Sequence, residues 1–208
     1  MRLVNSIGNS LRNPTFGFVS LVGLGLKFVR WYSPVFLASV GNPEPEYSLT
    51  RHNIGHRFIN QLVDIYWKDH IENQGSYYTS KNYPIIIFKD SHCYMNLQGK
   101  PISNQFKGFK NHQLYIVHDD VQNQVGKYKV RAKGTSAQGH NGLRSVIQYL
   151  GNNHVKLAIG IGRPSSSSTP LHKWVLGKFD KQDLQIIDYE VIPKLVQELE
   201  KILQEEMK

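Results

Sequence analysis

The sequence predicts one α/β domain in three layers, with helices on both faces of a mixed, mostly parallel sheet. Short apolar runs at 35–41, 85–88, 114–118 and 155–161 end in glycine, proline or acidic residues, as buried strands do. Segments with helical spacing of apolar residues alternate with these runs, which is typical of parallel sheets. The 208 residues suffice for a single core, and we find no internal repeat.

Four helical segments complete this prediction. The first runs from His52 to Lys68, with apolar residues at Ile54, Phe58, Leu62, Ile65 and Tyr66. A short helix is predicted over 102–109, and another begins at G-H-N-G (139–142) and continues to about Leu150. The last begins near Gln182 and is interrupted or bent near Pro193.

Two further segments are predicted to be strands, although they are less apolar. H-C-Y-M (92–95) is a short apolar-aromatic run, and its Cys93 is expected to be a small buried residue. G-K-Y-K-V-R-A-K (126–133) alternates basic with apolar residues, which predicts a half-exposed strand. R-P-S-S-S-S-T-P (163–170) has the composition of a loop.

The net charge of +9 favours an anionic partner such as nucleic acid or a membrane surface. Part of this charge lies in the first 30 residues, which contain Arg2, Arg12, Lys27 and Arg30 and no acid. Without these four, 21 basic residues still face 16 acidic ones. The domain itself is therefore expected to be basic.

Residues 1–33 have the composition of a mitochondrial transit peptide, with spaced arginines, serines and no acid. A secretory signal is the competing interpretation, because residues 15–26 are nearly continuous and apolar. That run is short for a membrane span, and Lys27 and Arg30 follow it where a signal peptide has small residues. We therefore predict a transit peptide at 1–33, one folded domain at 34–208 and a mitochondrial matrix location, with the cytoplasm as the alternative.

Several site classes find no support in the sequence. The single cysteine excludes an internal disulfide framework or a cysteine metal cluster, and no His, Asp or Glu pattern has metal-ligand spacing. The chain has no G-x-S-x-G, and G-I-G (160–162) lacks the third glycine and the setting of a dinucleotide fingerprint. The sequence therefore contains neither a metal-binding nor a dinucleotide-binding pattern.

Polar residues follow the predicted strands. Asn42, Asn96 and Asp119 each come directly after one, and the carboxyl ends of parallel strands meet at one edge of a sheet. His52, at a helix start, and Asn141, in G-H-N-G, can reach the same edge. Each residue alone could be a turn or cap residue. Their shared position is what indicates a site.

His52 and Asp119 together indicate a defined chemistry. A carboxylate that orients an imidazole, with no nucleophilic serine or cysteine motif, favours a base that activates water. Amide groups could then hold a carbonyl and stabilise its oxyanion.

The basic strand indicates the class of substrate. Lys127, Lys129, Arg131 and Lys133 have a period of two and are expected to share one face that suits a phosphate backbone. A solvated edge strand is an equally good interpretation of the same pattern.

Six motifs together resemble peptidyl-tRNA hydrolase of the bacterial type, a family that also serves mitochondria. In order across residues 34–180 they are G-N-P-x-x-x-Y (41–47), T-R-H-N-x-G (50–55), Y-M-N-x-x-G (94–99), H-D-D (118–120), G-H-N-G-L-R-S (139–145) and L-A-I-G-I-G-R-P (157–164). The resemblance implies a monomeric, cofactor-free esterase that releases tRNA from peptidyl-tRNA dropped during translation.

The resemblance also implies roles for individual residues. His52 would activate water, Asp119 would orient it, and Asn42 would contact the reacting end of the peptide. The cleft for the peptide and the tRNA 3′ end would be lined by Tyr47, Tyr94, Asn96 and Asn141.

The chain departs from the family pattern at the cleft. Glu44 replaces a usual glycine, Gln98 a small hydroxyl residue and Gln138 a glycine, and V-Q-N-Q (121–124) lacks the usual Leu-Pro. None of these changes removes a proposed catalytic group.

Two other functions remain open at this point. The first is a non-catalytic RNA-binding protein on the same scaffold, of the kind that acts in organelle RNA splicing. The second is an unrelated peptide hydrolase, which would leave the basic strand without a role.

Overall fold

The computed structural model describes residues 34–166 and 168–207. The predicted transit peptide at 1–33 lies outside these residues. In the described part of the chain, no helix is both long enough and apolar enough to cross a membrane.

A seven-stranded mixed sheet forms the middle layer. In chain order its strands are β1 (Val35–Ser39), β2 (Ile71–Asn73), β3 (Tyr78–Ser80), β4 (Ile85–Phe88), β5 (Gln113–Asp120), β6 (Tyr128–Arg131) and β7 (Val155–Gly160). Their spatial order is β2-β3-β4-β1-β5-β7-β6. The four central strands are parallel, and β2, β3 and β6 pair antiparallel at the edges.

Within residues 34–166 and 168–207, six α-helices accompany the sheet. They are α1 (Ile54–Gln61), α2 (Gly99–Phe106), α3 (Asn141–Leu150), α4 (Leu171–Leu176), α5 (Lys181–Ile186) and α6 (Ile192–Glu206). Short 3-10 turns occur at Arg51–Asn53, Lys68–His70, Met95–Leu97 and Lys107–Phe109. Wider π turns at Leu62–Tyr66 and Ile187–Val191 extend α1 and join α5 to α6.

Two apolar cores, one on each face of the sheet, confirm the three-layer prediction. Alternate residues of β1 point to opposite faces because strand side chains have a period of two. Val35 and Leu37 pack in the core that contains α1 and α6, while Phe36 and Ala38 pack with α2 and α3. All four are fully buried.

The structure corrects several details of the prediction. Residues 92–95 are not a strand, because Tyr94 precedes a 3-10 turn over Met95–Leu97, and Cys93 is only partly buried. Ile65 is 64% exposed, since the first helix widens to a π turn and rotates this residue out of the apolar face. The hairpin of β2 and β3 and the helix α4 were not predicted, because three-residue edge strands and a six-residue helix carry little periodicity.

Helix α1 lies unusually close to the sheet, and this places the site. A Cβ atom on Gly55 would be 2.6 Å from the Val117 carbonyl oxygen of β5 and 2.9 Å from that of Val40. Only glycine permits such an approach. The helix start, with His52 just before it, is therefore held against the carboxyl ends of β1 and β5.

Candidate active site

His52 and Asp119 meet at the carboxyl end of the sheet, as the sequence predicts. Nδ1 of His52, in the 3-10 turn before α1, lies 2.7 Å from Oδ1 of Asp119, the penultimate residue of β5. The Asp119 side chain is 2% exposed and the His52 side chain 15% exposed. The carboxylate is thus sequestered, while the ring reaches the cavity described below.

A second histidine, which the sequence analysis did not single out, contacts the same carboxylate oxygen. Nε2 of His140 donates to Oδ1 of Asp119 at 2.8 Å, and the His140 and His52 rings are 5.0 Å apart. His140 is also the N-cap of α3, where its Nδ1 accepts from the Leu143 amide at 3.2 Å. The G-H-N-G motif contained this residue, but only its asparagine was assigned to the site.

These contacts determine which nitrogen of each ring carries the proton. Because Nδ1 of His140 accepts from a backbone amide, its proton is on Nε2 and is donated to Asp119. His52 donates from Nδ1 to the same oxygen, so its Nε2 is unprotonated when the ring is neutral. A neutral His52 therefore has its basic nitrogen directed away from the carboxylate.

Asp119 and His52 each stabilise the charged form of the other. Burial by itself would favour a neutral Asp119, but the nearby His52 and His140 rings and their hydrogen bonds hold its pKa well below the usual range. Burial also opposes charge on His52, yet the charge of Asp119 and its hydrogen bond outweigh this effect and raise the His52 pKa above its ordinary value. Asp119 stays ionised and stabilises the protonated form of His52.

Asn42 is held by two residues from other parts of the chain, Asn53 and Met95, so that among the described residues one amide group remains for a ligand. Its backbone N–H donates to Asn53 Oδ1 at 2.8 Å, and its carbonyl accepts from Asn53 Nδ2 at 2.9 Å. The amide of Met95 donates to Asn42 Oδ1 at 3.0 Å, which leaves Nδ2 as the free donor. Asn42 is a fixed hydrogen-bond donor at the cavity wall.

A cavity of about 400 Å³ brings the predicted polar residues together. Its walls include His52, Asp119 and His140 and the three predicted asparagines, Asn42, Asn96 and Asn141. Asn96 reaches it from the 3-10 turn at Met95–Leu97 and not from a strand end, so that part of the prediction is wrong. The convergence of the asparagines is confirmed.

The two predicted tyrosines lie together but outside the walls of this cavity. The rings of Tyr47 and Tyr94 pack edge to face with centroids 6.3 Å apart. Tyr94 is 52% exposed. They form an aromatic surface near the Asn42 and Asn96 turns, which could extend the site toward solvent.

Only part of the predicted basic stripe is on a strand. Lys129 and Arg131 lie in β6 and pair with Ala158 and Lys156 of β7, so their side chains share one face. Lys127 and Lys133 fall outside β6, directly before it and two residues after it. Arg131 lines the cavity and donates to the Ser136 carbonyl, whereas Lys127, Lys129 and Lys133 are exposed.

Helix α4 forms a wall of the cavity that the sequence analysis missed. It contributes Leu171, His172, Val175 and Leu176. Its C-terminal end is tied to the residue before His52, because the Arg51 guanidinium lies 3.6 Å from the Trp174 ring and donates to the Lys178 carbonyl at 2.7 Å. The i, i+3, i+4 spacing of apolar residues in L-H-K-W-V-L (171–176) was the available signal, although six residues carry little periodicity.

The ligand atoms of the two histidines and the carboxylate lie within 4.8 Å of one another, which is close enough to raise the question of a metal site. The sequence spacing had given no sign of this cluster. Both ring nitrogens approach one carboxylate oxygen at hydrogen-bond distance, so they converge on that atom and not on a point between three ligands. The arrangement fits proton transfer better than metal coordination.

The departures from the family pattern are accommodated locally. Glu44 forms an ion pair with Lys89, and Asn60 contacts both residues. Gln138 adopts φ of 48°, a left-handed conformation that glycine takes more easily. Gln98 is fully buried beneath the Asn42 turn.

Fold and site together define a class: a three-layer α/β protein with a histidine–carboxylate pair and amide donors at its strand ends. A model of the family described as peptidyl-tRNA hydrolase matches residues 36–208. Peptidyl-tRNA hydrolase of Saccharomyces cerevisiae is 35% identical over 170 residues, covering 73% of this chain and 87% of the yeast protein. The chain belongs to the peptidyl-tRNA hydrolase family.

Other relatives agree in length and fold. Peptidyl-tRNA hydrolase of Rubrobacter xylanophilus is 32% identical, covering 80% of this chain and 91% of the relative. The crystal structure of peptidyl-tRNA hydrolase from Acinetobacter baumannii superposes with a TM-score of 0.72 at 26% identity, covering 85% of this chain and 92% of that one.

Proposed function

We propose that this protein hydrolyses the ester between a peptide, or an N-blocked amino acid, and the 3′ ribose of tRNA. The observation that carries the proposal is the oriented His52–Asp119 pair in a cavity lined by three asparagines, in a chain of this family. The products are free tRNA and a peptide with a free carboxylate. Such a reaction recycles tRNA from peptidyl-tRNA dropped during translation.

The mechanism follows from the tautomers in the site. Neutral His52 takes a proton from water at Nε2, while its Nδ1–H remains bonded to Asp119. The water oxygen attacks the ester carbonyl carbon, and the negative charge that develops on the carbonyl oxygen is stabilised by the free Nδ2 of Asn42. When the C–O bond breaks, the ribose oxygen takes the proton from His52.

Asp119 and His140 support this cycle without exchanging protons with substrate. Asp119 holds the His52 ring and stabilises its protonated form between the two steps. His140, with its Nδ1 committed to the α3 amide, keeps a donor on the same carboxylate oxygen throughout.

The surroundings of the pair fit a tRNA ester. Asn96 and Asn141 supply amides for the peptide backbone and the 3′ nucleotide, while Tyr47 and Tyr94 offer aromatic faces. The exposed Lys129 and the neighbouring Arg131 provide positive charge for the phosphate backbone on one side of the cavity.

The decisive experiment compares N-acetyl-aminoacyl-tRNA with unblocked aminoacyl-tRNA, using a chain that starts near Ser33. We expect release of tRNA from the blocked form and little from the unblocked form. An N-acetyl-amino-acid ester without tRNA serves as the control for an unrelated peptide hydrolase. Salt-sensitive tRNA binding without ester cleavage would instead support a non-catalytic RNA-binding protein.

We also propose that residues 1–33 direct the protein to the mitochondrial matrix, and that it acts as a monomer without a metal. Support for the location comes from the acid-free, arginine-containing composition of this segment. Fusing residues 1–33 to a fluorescent protein tests it, and a diffuse cytoplasmic signal would contradict it. Size-exclusion chromatography and an assay with EDTA test the other two statements.

A further inference from the structure

Gln98 lies below the cavity wall and connects the turn at Gly41 with the loop that contains Asp90 and Cys93. Its side-chain nitrogen donates to the carbonyl oxygens of Gly41 at 3.0 Å, Asp90 at 2.9 Å and Cys93 at 3.0 Å. The residue is fully buried, so it cannot touch a substrate. Two N–H groups serve three acceptors, and one of them is shared.

The orientation of this amide is dictated by its surroundings. Reversing it would place Oε1 against three carbonyl oxygens. In the observed orientation Oε1 is buried without a hydrogen-bond partner among the described residues. A buried polar atom without a partner is unusual and offsets part of the stability that the three bonds contribute. The main effect of the Gln98 amide is therefore to fix the positions of the three carbonyl groups, more than to add stability.

Two of the three carbonyls belong to the segments that orient Asn42. Gly41 immediately precedes Asn42, and Cys93 precedes Met95 by two residues. The Met95 amide is the group that donates to Asn42 Oδ1 and leaves Nδ2 free for the cavity. Gln98 thus ties together the backbone that carries Asn42 and the backbone that holds its side chain.

A buried histidine extends this network. Nε2 of His56 donates to the Asp90 carbonyl at 3.1 Å, the same oxygen that Gln98 contacts, and His56 Nδ1 accepts from the Ser39 hydroxyl at 2.9 Å. A Cβ atom on Gly41 would lie 2.6 Å from the His56 ring. The Gly41 backbone is thus confined between His56 and Gln98 and has little freedom to adjust.

We propose that Gln98 is a positioning residue that sets the orientation of the Asn42 amide by joining the carbonyls of Gly41, Asp90 and Cys93. It acts through Asn42 and not on the substrate. This inference rests on the proposed function, since it assigns Gln98 to the same reaction. It predicts that removing the Gln98 amide lowers kcat more than it raises KM.

The test is a double-mutant cycle of Gln98→Leu with Asn42→Ala, measured on N-acetyl-aminoacyl-tRNA. Leucine has a similar size but no donor for the three carbonyls. We expect Gln98→Leu to lower kcat by about tenfold or more in the native background, since misaligning one oxyanion donor is costly. With Asn42 already replaced by alanine, the same change should alter kcat by less than about twofold, because the two sites act as one unit.

A matched control separates positioning from loss of stability. Ile102→Ala shortens a fully buried side chain on α2 that takes part in the apolar core. It should lower the melting temperature but leave kcat nearly unchanged in both backgrounds. If Gln98→Leu does not give a folded protein, Gln98→Met replaces it, since methionine has nearly the same length and shape but no donor for the three carbonyls, and the same results are expected.

The outcomes distinguish this inference from the proposed function. Equal fold losses from Gln98→Leu with and without Asn42 would overturn the positioning role, as would an unchanged kcat. A native chain that fails to cleave the blocked substrate would instead refute the proposed function itself. A large loss that disappears in the Asn42→Ala background supports both.

Discussion

The His52–Asp119 pair and the basic strand β6 lie beside the same cavity but are built in opposite ways. The side chain of Asp119 is 2% exposed, and two histidines donate to one of its oxygens. Lys129 is exposed, and Arg131 donates to a backbone carbonyl at the rim. The pair is defined by short contacts between distant segments, whereas the strand presents charge on a surface.

This difference in burial and contacts predicts how changes in each region affect the protein. A proton-transfer group must be placed to within a fraction of an ångström, so it needs buried partners that exclude alternatives. A cation that attracts phosphate acts over about 8–10 Å and tolerates movement. Changes at the pair should therefore lower turnover, and changes on the strand should lower affinity in a salt-dependent way.

Replacing the base should have the largest effect. We expect His52→Ala to lower kcat by about 10²- to 10⁴-fold, because positioned general-base catalysis contributes that much. KM should change little. His70→Ala, at a partly exposed histidine outside the cavity, is the matched control in the same steady-state assay. Full activity of His52→Ala would remove His52 from the mechanism.

Changing the carboxylate should come next and should also shift the pH profile. Asp119→Asn loses the charge and permits the wrong His52 tautomer, so kcat should fall by about 10²-fold or more. The active form of His52 is neutral, so kcat/KM of the native protein rises with pH through a pKa raised above 6.5 by Asp119. In the variant burial dominates, and this acidic limb should move to lower pH.

Measuring kcat/KM from about pH 5 to 9 for both proteins tests this shift. A limb at the same pH in the native protein and in Asp119→Asn would show that Asp119 does not control the ionisation of His52.

Reversing charge on β6 should affect binding and not chemistry. We expect Lys129→Glu with Arg131→Glu to weaken tRNA binding by about ten- to a hundredfold, and the salt slope of binding to fall by about one per lost phosphate contact. Cleavage of a minimal N-acetyl ester should be largely retained. Filter binding at several salt concentrations measures the first effect.

Lys181→Glu with Lys201→Glu makes the same charge change at exposed sites on helices α5 and α6. It should leave the salt slope nearly unchanged. Equal effects of the β6 reversal and of this control would show that β6 is only a solvated edge strand and does not bind the phosphate backbone.

The smallest effect is expected at the ion pair of Glu44 with Lys89. This pair is more exposed than the Asp119 carboxylate and less exposed than Lys129. Both side chains are about 15% exposed, and Glu44→Gln would leave the Lys89 charge without its partner. We expect a loss of about 1–3 kcal/mol in the free energy of unfolding and a change in kcat/KM of less than about threefold. Urea denaturation measures the former.

Glu72→Gln removes an ion pair whose side chains are more than half exposed, and it should cost less than about 1 kcal/mol. Equal losses for the two variants would mean that the Glu44 pair is no more than a surface contact.

Local pattern was sufficient to predict the centre of the fold. The continuous apolar runs of β1, β4, β5 and β7 can be buried on both faces only in a covered parallel sheet, and all four strands were anticipated. Helix α3 began at G-H-N-G as predicted. The edge hairpin of β2 and β3 was not foreseen, because its strands are short and exposed and are specified by pairing with β4.

Most of the residues that the structure brings together at the site could be predicted from the sequence, but not all of them. His52, Asp119 and the three asparagines could be named from their places relative to strands and helix starts. His140 could not, since its double role as helix cap and partner of Asp119 depends on α3 being directed at β5. Helix α4 was missed because its importance comes from a contact with Arg51 more than 120 residues earlier.

By itself the sequence determined the central strands of the sheet and the helices that cover them. It also determined that a glycine lets α1 approach β5, and that the chain contains a histidine, an aspartate and several asparagines at the ends of these elements. The tertiary structure alone decided that His52 and Asp119, 67 residues apart, come within 2.7 Å, and that a second histidine shares the same oxygen. It also decided that Lys129 and Arg131, but not Lys127 and Lys133, lie on the strand itself. The physical reason is range: periodicity and turn chemistry act within a few residues, while hydrogen bonds between distant segments form only once both cores have packed.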